Sequence, residues 1–242
     1  MVSFLERDHK RMPFPSGLKP RYPTMPLFKI INFSSTTQIL IWKITESLED
    51  LLSQVVLKEK TLLRFNGMKS ELHQRAFLSV RMLLKEVGYT DFDLQYDESG
   101  KPHLNPNNCY NEPIEMSISH SHNFSTLIIS DQKVGIDIEM QRDKIIRIAD
   151  KFVNNKESLR LGDTSTQDYI KKLIVKWGAK EAVFKIRNEP GISFKDHIWV
   201  NSFEIRDQKT IATLEMENVK QQFSIYFEEF EGFTLVYAFE KI

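Results

Sequence analysis

Runs rich in isoleucine and aromatic residues at 27–33 and 38–44, parted by a Ser/Thr cluster, read as two strands of a hairpin or sheet edge. Beyond Thr45, residues Leu48, Leu51, Leu52, Val55 and Val56 recur at helical spacing and predict a short amphipathic helix. A longer helix is predicted over 70–87, where Leu72, Ala76, Phe77, Val80, Leu83, Leu84 and Val87 line one face and Gly88 supplies the stop. That helix also carries Arg75, Arg81 and Lys85. Turn-forming residues dominate 97–113, which reads as a loop region closing the first half of the chain. Two strands follow at 114–119 and 125–130, joined by a short polar turn, and a third at 134–139 extends them into a meander. Helices are then predicted near 145–153, from Asn154 with Glu157 completing a capping-box pattern, and over 166–186. After Pro190 and Gly191, alternating runs near 199–205, 210–217, 222–229 and 233–240 read as antiparallel strands.

Strands, then helices, then strands again predict an α+β fold. A helix beside several strands recurs in each half, a faint mark of internal duplication. The turn-rich break divides a first α+β half, 25–113, from a second, 114–242. Residues 1–24 are basic and proline-rich, lack the apolar stretch of a secretory signal, and read as a flexible extension.

Composition narrows the picture. A chain of 242 residues can bury one large core or two of roughly 100 to 120 residues each. Its 41% hydrophobic and 11% aromatic content excludes a disordered or collagen-like chain. Lys plus Arg and Asp plus Glu both total 33, so no global basic field advertises a nucleic acid. The single cysteine, Cys109, excludes an intramolecular disulfide and a multi-cysteine metal site, and suits a reducing cytoplasm. No apolar run approaches the roughly 18 to 20 residues of a membrane span, so no membrane partner is expected.

The chemistry concentrates in two segments. In VGIDIE, residues 134–139, a two-residue period puts Asp137 and Glu139 on one face of a strand, and Gly135 permits close backbone approach. In WGAKEAVFK, residues 177–185, Glu181 and Lys185 share a helix face at i,i+4. Three carboxylates are hard oxygen ligands suited to Mg²⁺, which is usually held by one or two carboxylates plus substrate phosphates. Ser119, His120, Ser121 and His122 form a polar turn able to meet a phosphate. Two histidines at i,i+2 also fit zinc, but the neighbouring carboxylates favour the harder ion. Taken singly, an acidic strand face or a Lys/Glu helix pair is ordinary surface decoration; only their conjunction stands out.

The order GKP (100–102), SISHS (117–121), VGIDIE, WGAKEAVFK and a following GIS (191–193) resembles the 4′-phosphopantetheinyl transferases, in particular the long two-halved type acting on carrier proteins. The resemblance runs from about Lys58 to Phe194. It implies a pseudo-twofold pair of similar α+β halves, usually a monomer, with coenzyme A in the cleft between them. It further implies transfer of the phosphopantetheine arm of coenzyme A to a serine of an apo acyl or peptidyl carrier protein, releasing 3′,5′-ADP. Matched residue by residue, Asp137, Glu139 and Glu181 would ligate Mg²⁺, and Lys185 would contact the phosphates. Ser119 and His120 would meet the nucleotide end, His120 at the 3′-phosphate, and Gly100, Lys101 and Pro102 would lie against the adenine nucleotide. Arg81 and Lys60 would add basic contacts, Glu181 is the candidate base for the serine proton, and Lys180 is expected to be structural. His122 and Gly178 depart from the family's usual residues, and a glycine inside a helix points to close packing against another element.

Two other readings use the same residues. A Mg²⁺-dependent phosphohydrolase would direct the three carboxylates at water and turn over coenzyme A or a nucleotide with no carrier present. A non-catalytic relative would bind a carrier protein, but has no need of Asp137, Glu139, Glu181 and Lys185 together.

Overall fold

The computed structural model describes residues 27–105, 114–159, 165–217 and 219–241. The N-terminal extension, Cys109 and Pro113 lie outside them. Eleven strands and five α-helices appear among the described residues, in the α+β order expected. Strands β1 (Leu27–Asn32) and β2 (Gln38–Lys43) form the first antiparallel pair. Helix α1 (Leu48–Ser53) is capped by Ser47, whose hydroxyl accepts from the Asp50 amide. Helix α2 (Glu59–Asn66), absent from the sequence reading, precedes the long helix α3 (Glu71–Glu86). Gly88 follows α3 at φ +81°, a left-handed conformation that closes helices and favours glycine.

The turn-rich segment holds a small hairpin, β3 (Leu94–Tyr96) with β4 (Pro102–Leu104), so the GKP motif sits in a hairpin turn. Strands β5 (Glu115–Ser121) and β6 (Phe124–Ser130) then pair with each other, and β6 pairs with β2, giving a four-stranded sheet in the order β1-β2-β6-β5. The first sheet therefore extends through Ser130. Helix α3 covers this sheet, with Leu78, Met82, Leu83 and Leu84 buried against Leu40, Trp42 and Leu127 in one core.

Strand β7 (Val134–Met140) does not continue a meander with β5 and β6. It pairs with β11 (Phe233–Glu240), near the far end of the chain, and begins a five-stranded antiparallel sheet ordered β7-β11-β10-β9-β8. The remaining strands are β8 (Ile198–Val200), β9 (Lys209–Met216) and β10 (Val219–Phe230). Between β7 and β8 along the chain run a 3₁₀ segment, Asp143–Lys151, the short helix α4 (Asn155–Leu159) and the 22-residue helix α5 (Thr166–Arg187). The capping box read at Asn154 forms: its side-chain oxygen accepts from the Glu157 amide, and Glu157 accepts from the Asn154 amide.

Two glycines let α5 lie almost on the sheet. A Cβ on Gly135 would come within 2.0 Å of the Ala182 carbonyl oxygen, and one on Gly178 within 2.7 Å of Val236 Cγ2. The departure at Gly178 is thus explained by β11, which occupies the space a side chain would need. Free edges of the two sheets meet through serine hydroxyls: the amides of Ile136 and Ile138 on β7 donate to Ser117 and Ser119 on β5. No helix among the described residues is long and apolar enough to cross a membrane.

Candidate active site

Asp137 is the centre of the site. The alternation of β7 sends Ile136 and Ile138 into an apolar core while Asp137 and Glu139 face α5. Asp137 is buried, and its Oδ1 accepts from Ser119 Oγ at 2.8 Å and from Lys185 Nζ at 2.9 Å. Lys185 also donates to the Ile136 carbonyl at 2.8 Å. The other oxygen, Asp137 Oδ2, is buried with no hydrogen-bond partner among the described residues. Buried carboxylate oxygens are rarely left bare, and this one is available to a cation or a hydrogen-bond donor.

Glu139 and Glu181 complete an acidic trio. Trp177 Nε1 donates to Glu139 Oε1 at 3.2 Å and Ser121 Oγ lies 3.5 Å from Glu139 Oε2, so both oxygens are held from opposite sides. Burial raises the Glu139 pKa to about 7, helped by the negative charges of Asp137 and Glu181, against the Trp177 hydrogen bond and Lys185. Glu181, one turn from Trp177, is half-buried, and burial together with Asp137 pushes its pKa up while Lys185 pulls it down. Asp137 raises the pKa of both Glu139 and Glu181, a repulsion that a cation would relax. Among the described residues no three acid, imidazole or thiol side chains are gathered tightly enough to enclose a metal unaided. An open set of carboxylates is nevertheless the pattern suited to Mg²⁺, which keeps waters and accepts substrate oxygens. The buried bare oxygen of Asp137 and the mutual repulsion of the trio both fit such an ion.

Around this cluster the other expected residues divide. His120, at the end of β5, has an accessible ring; burial of its inner side, with His73 and Lys185 nearby, lowers its pKa. Lys101 reaches the far end of α5 and donates to the Ile186 carbonyl at 3.2 Å, next to Lys185 in sequence, from a turn in which Gly100 adopts φ +85°. Pro102 follows as the first residue of β4. The Ser99 hydroxyl meets the Asn188 side chain, so the GKP turn is tied to the end of the helix that carries Glu181 and Lys185.

Arg81 does not belong to the cluster. It is 4% exposed, its Nε donates to Asp91 Oδ1 at 3.0 Å, its Nη1 donates to the Phe77 carbonyl, and its guanidinium lies 3.6 Å over the Phe77 ring. These contacts make it an internal cross-link of the first core, with no surface left for a phosphate. Lys60 is exposed on α2, and among the described residues no hydrogen bond or ion pair ties it to the acids. Lys180 is buried on the opposite side of α5, as a structural residue would be.

Three neighbours, Trp177, Ser121 and His73, were not read as partners of the site residues. Trp177 was quoted in a motif without a role, and Ser121 as part of a turn, yet both hold Glu139. His73, in the first turn of α3, has its ring centre 6.4 Å from that of His120. Arg75, two residues on, donates to the Ile44 carbonyl at 3.4 Å and leaves its Nε buried without a partner. The basic character of this helix was legible; which of its cations faces β5 was not, because that depends on the packing angle of α3.

Residues 133–238 match the family model described as the 4′-phosphopantetheinyl transferase superfamily. The matched residues span β7, α5 and most of the second sheet. It is also 30% identical over 138 residues to the 4′-phosphopantetheinyl transferase gsp of Aneurinibacillus migulanus, an alignment covering 57% of this chain and 54% of the relative. The chain matches about half the length of that curated relative.

Proposed function

We propose that this protein transfers the 4′-phosphopantetheine arm of coenzyme A to a serine hydroxyl of an apo acyl or peptidyl carrier protein, releasing 3′,5′-ADP. The observation that carries the reading is the buried, unpartnered oxygen of Asp137 inside an acidic trio beside Lys185.

Asp137, Glu139 and Glu181 would hold Mg²⁺. Bound there, the ion would offset the negative charge that builds on the pyrophosphate as the serine oxygen attacks. Lys185 reaches the same place from α5, and its ammonium would hold the phosphate oxygens once it exchanges part of its contact with Asp137. Glu181 is suited to accept the serine proton, since a carboxylate with a raised pKa is a better base near neutrality. Ser119 holds Asp137 in place through Oδ1, which leaves Oδ2 for the cation. His120, with His73 beside it, would receive the anionic nucleotide end in place of Arg81. Gly100, Lys101 and Pro102 would border the nucleotide at the end of α5. The reading also carries a monomer in the cytoplasm, with coenzyme A between two halves related by an internal twofold, α3 answering to α5.

The test is to incubate the protein with coenzyme A, Mg²⁺ and a panel of apo carrier proteins and weigh each carrier intact. A Mg²⁺-dependent gain of one phosphopantetheine on a carrier supports the transferase. Cleavage of coenzyme A with no gain on any carrier would transfer the reading to a hydrolase.

A further inference from the structure

On the side of α5 away from the acids lies a second, fully buried ionic cluster. The Glu157 carboxylate accepts from Lys176 Nζ at 3.2 Å and from the Val200 amide through Oε1, and from Lys180 Nζ at 2.7 Å through Oε2. Lys180 spends its remaining two N–H groups on the Phe152 and Phe194 carbonyls, and Lys176 donates to the Val200 carbonyl. Side-chain exposures of 4% for Glu157, 3% for Lys176 and 0% for Lys180 place all three charges inside the protein. The cluster thus joins α4, α5, the segment after α5 and β8.

Such a cluster is a weak source of stability, because desolvating three charges offsets most of their attraction. It is well suited to fixing orientation, and α5 needs that. Leu173, Ile174 and Val175 are buried in succession, and Ala179, Ala182 and Val183 are buried further along, so the helix lacks a single apolar stripe to set its rotation. Lys176 and Lys180, at i,i+4, share one face, and each immediately precedes a residue of the acidic site, Trp177 and Glu181. Rotation of α5 about its axis would therefore turn both away from Glu139 and Asp137 together.

We propose that Glu157 is a positioning residue for the active site: by clamping Lys176 and Lys180 it sets the rotation of α5 that aims Trp177, Glu181 and Lys185 at β7. The catalytic part of this inference rests on the transferase reading above; the rotational part does not.

Two variants and two readouts separate the cases. The triple variant Glu157→Leu, Lys176→Met, Lys180→Met replaces the cluster by apolar side chains, and Glu157→Gln removes only the negative charge. The indole N–H resonance of Trp177, identified by its loss in Trp177→Phe, reports the Glu139 contact without any turnover. The triple variant is expected to fold, to shift that resonance, and to lower kcat for carrier modification by tenfold or more relative to wild type, with Glu157→Gln intermediate in both. A folded triple variant with the wild-type resonance and kcat overturns the inference, and so does a triple variant that does not fold, since the cluster then serves stability. If the wild-type protein modifies no carrier, the transferase reading fails, and the resonance shift alone decides the role of Glu157.

Discussion

Lys185 and Asp137 are joined across α5 and β7 by a 2.9 Å ion pair that engages one carboxylate oxygen and leaves the other, Oδ2, buried and bare. Among the described residues the Lys185 ammonium is the one cation paired with this acid, and it engages Oδ1 alone. Replacing Asp137 by alanine removes the shared point of contact for Ser119, Lys185 and the incoming ion. Asp137→Ala is expected to reduce carrier modification below detection while the circular dichroism spectrum and cooperative unfolding persist. Lys185→Ala is expected to raise the KM for coenzyme A by tenfold or more, read from initial rates at saturating carrier.

The pKa of Glu139 gives a pH dependence with a definite sign. Its folded value is about 7 against an ordinary 4.5, so between those values the folded state holds a proton that the unfolded state has lost. Stability from this group is fully present below about 4.5 and is lost as pH rises through 7. Glu181 is shifted in the same direction. The lowered pKa of His120 acts oppositely, so the comparison is made against Glu139→Gln, which isolates the one group. The metal-free wild type is expected to lose about 1 to 3 kcal/mol relative to Glu139→Gln between pH 5 and pH 8. Urea unfolding at the two pH values checks this, and added Mg²⁺ is expected to restore the loss at pH 8.

Gly135 is where helix and strand touch. A methyl group there would meet the Ala182 carbonyl oxygen, which is backbone and cannot swing aside. Gly135→Ala is expected to cost about 2 kcal/mol or more through displacement of α5. Gly178→Ala meets a side chain, Val236, and is expected to cost less. Chemical denaturation of both variants ranks them, and equal costs would contradict the packing described.

Arg81 provides a contrast between a structural and a ligand-binding cation. Because its ion pair with Asp91 is 3% and 1% exposed, Arg81→Ala leaves a buried carboxylate unpaired and is expected to cost about 3 to 5 kcal/mol. In the fraction that folds, the KM for coenzyme A is expected to stay within twofold of wild type. A large rise in KM without loss of stability would return Arg81 to the binding site.

Most strands and the two long helices were legible because their apolar residues recur with the right period. Helix α2 was not, since it buries Thr61 and Phe65 while leaving Leu62 and Leu63 exposed, which erases the stripe that a periodicity reading needs. The β3–β4 hairpin was hidden by strands of three residues set among turn formers. The acids Asp137 and Glu139, with Glu181 and Lys185, were visible as motifs. The partner of β7 was invisible, because β11 lies about a hundred residues on and local pattern carries no information on such pairing. Arg81 misled for a related reason: its charge was plain in the sequence, but Asp91, which consumes it, reads as an ordinary loop residue. Glu157 was read only as a cap, and its two lysines follow 19 and 23 residues later.

The central claim, that the Asp137 cluster transfers phosphopantetheine from coenzyme A, is tested most directly by the intact mass of one apo carrier protein. The carrier is incubated with coenzyme A and Mg²⁺ alongside the wild-type protein, Asp137→Ala or Glu181→Ala. The account predicts a gain of one phosphopantetheine on a single serine with the wild type, lost on adding a chelator and absent with either variant. An undiminished gain with Asp137→Ala, or a gain indifferent to the chelator, would contradict it.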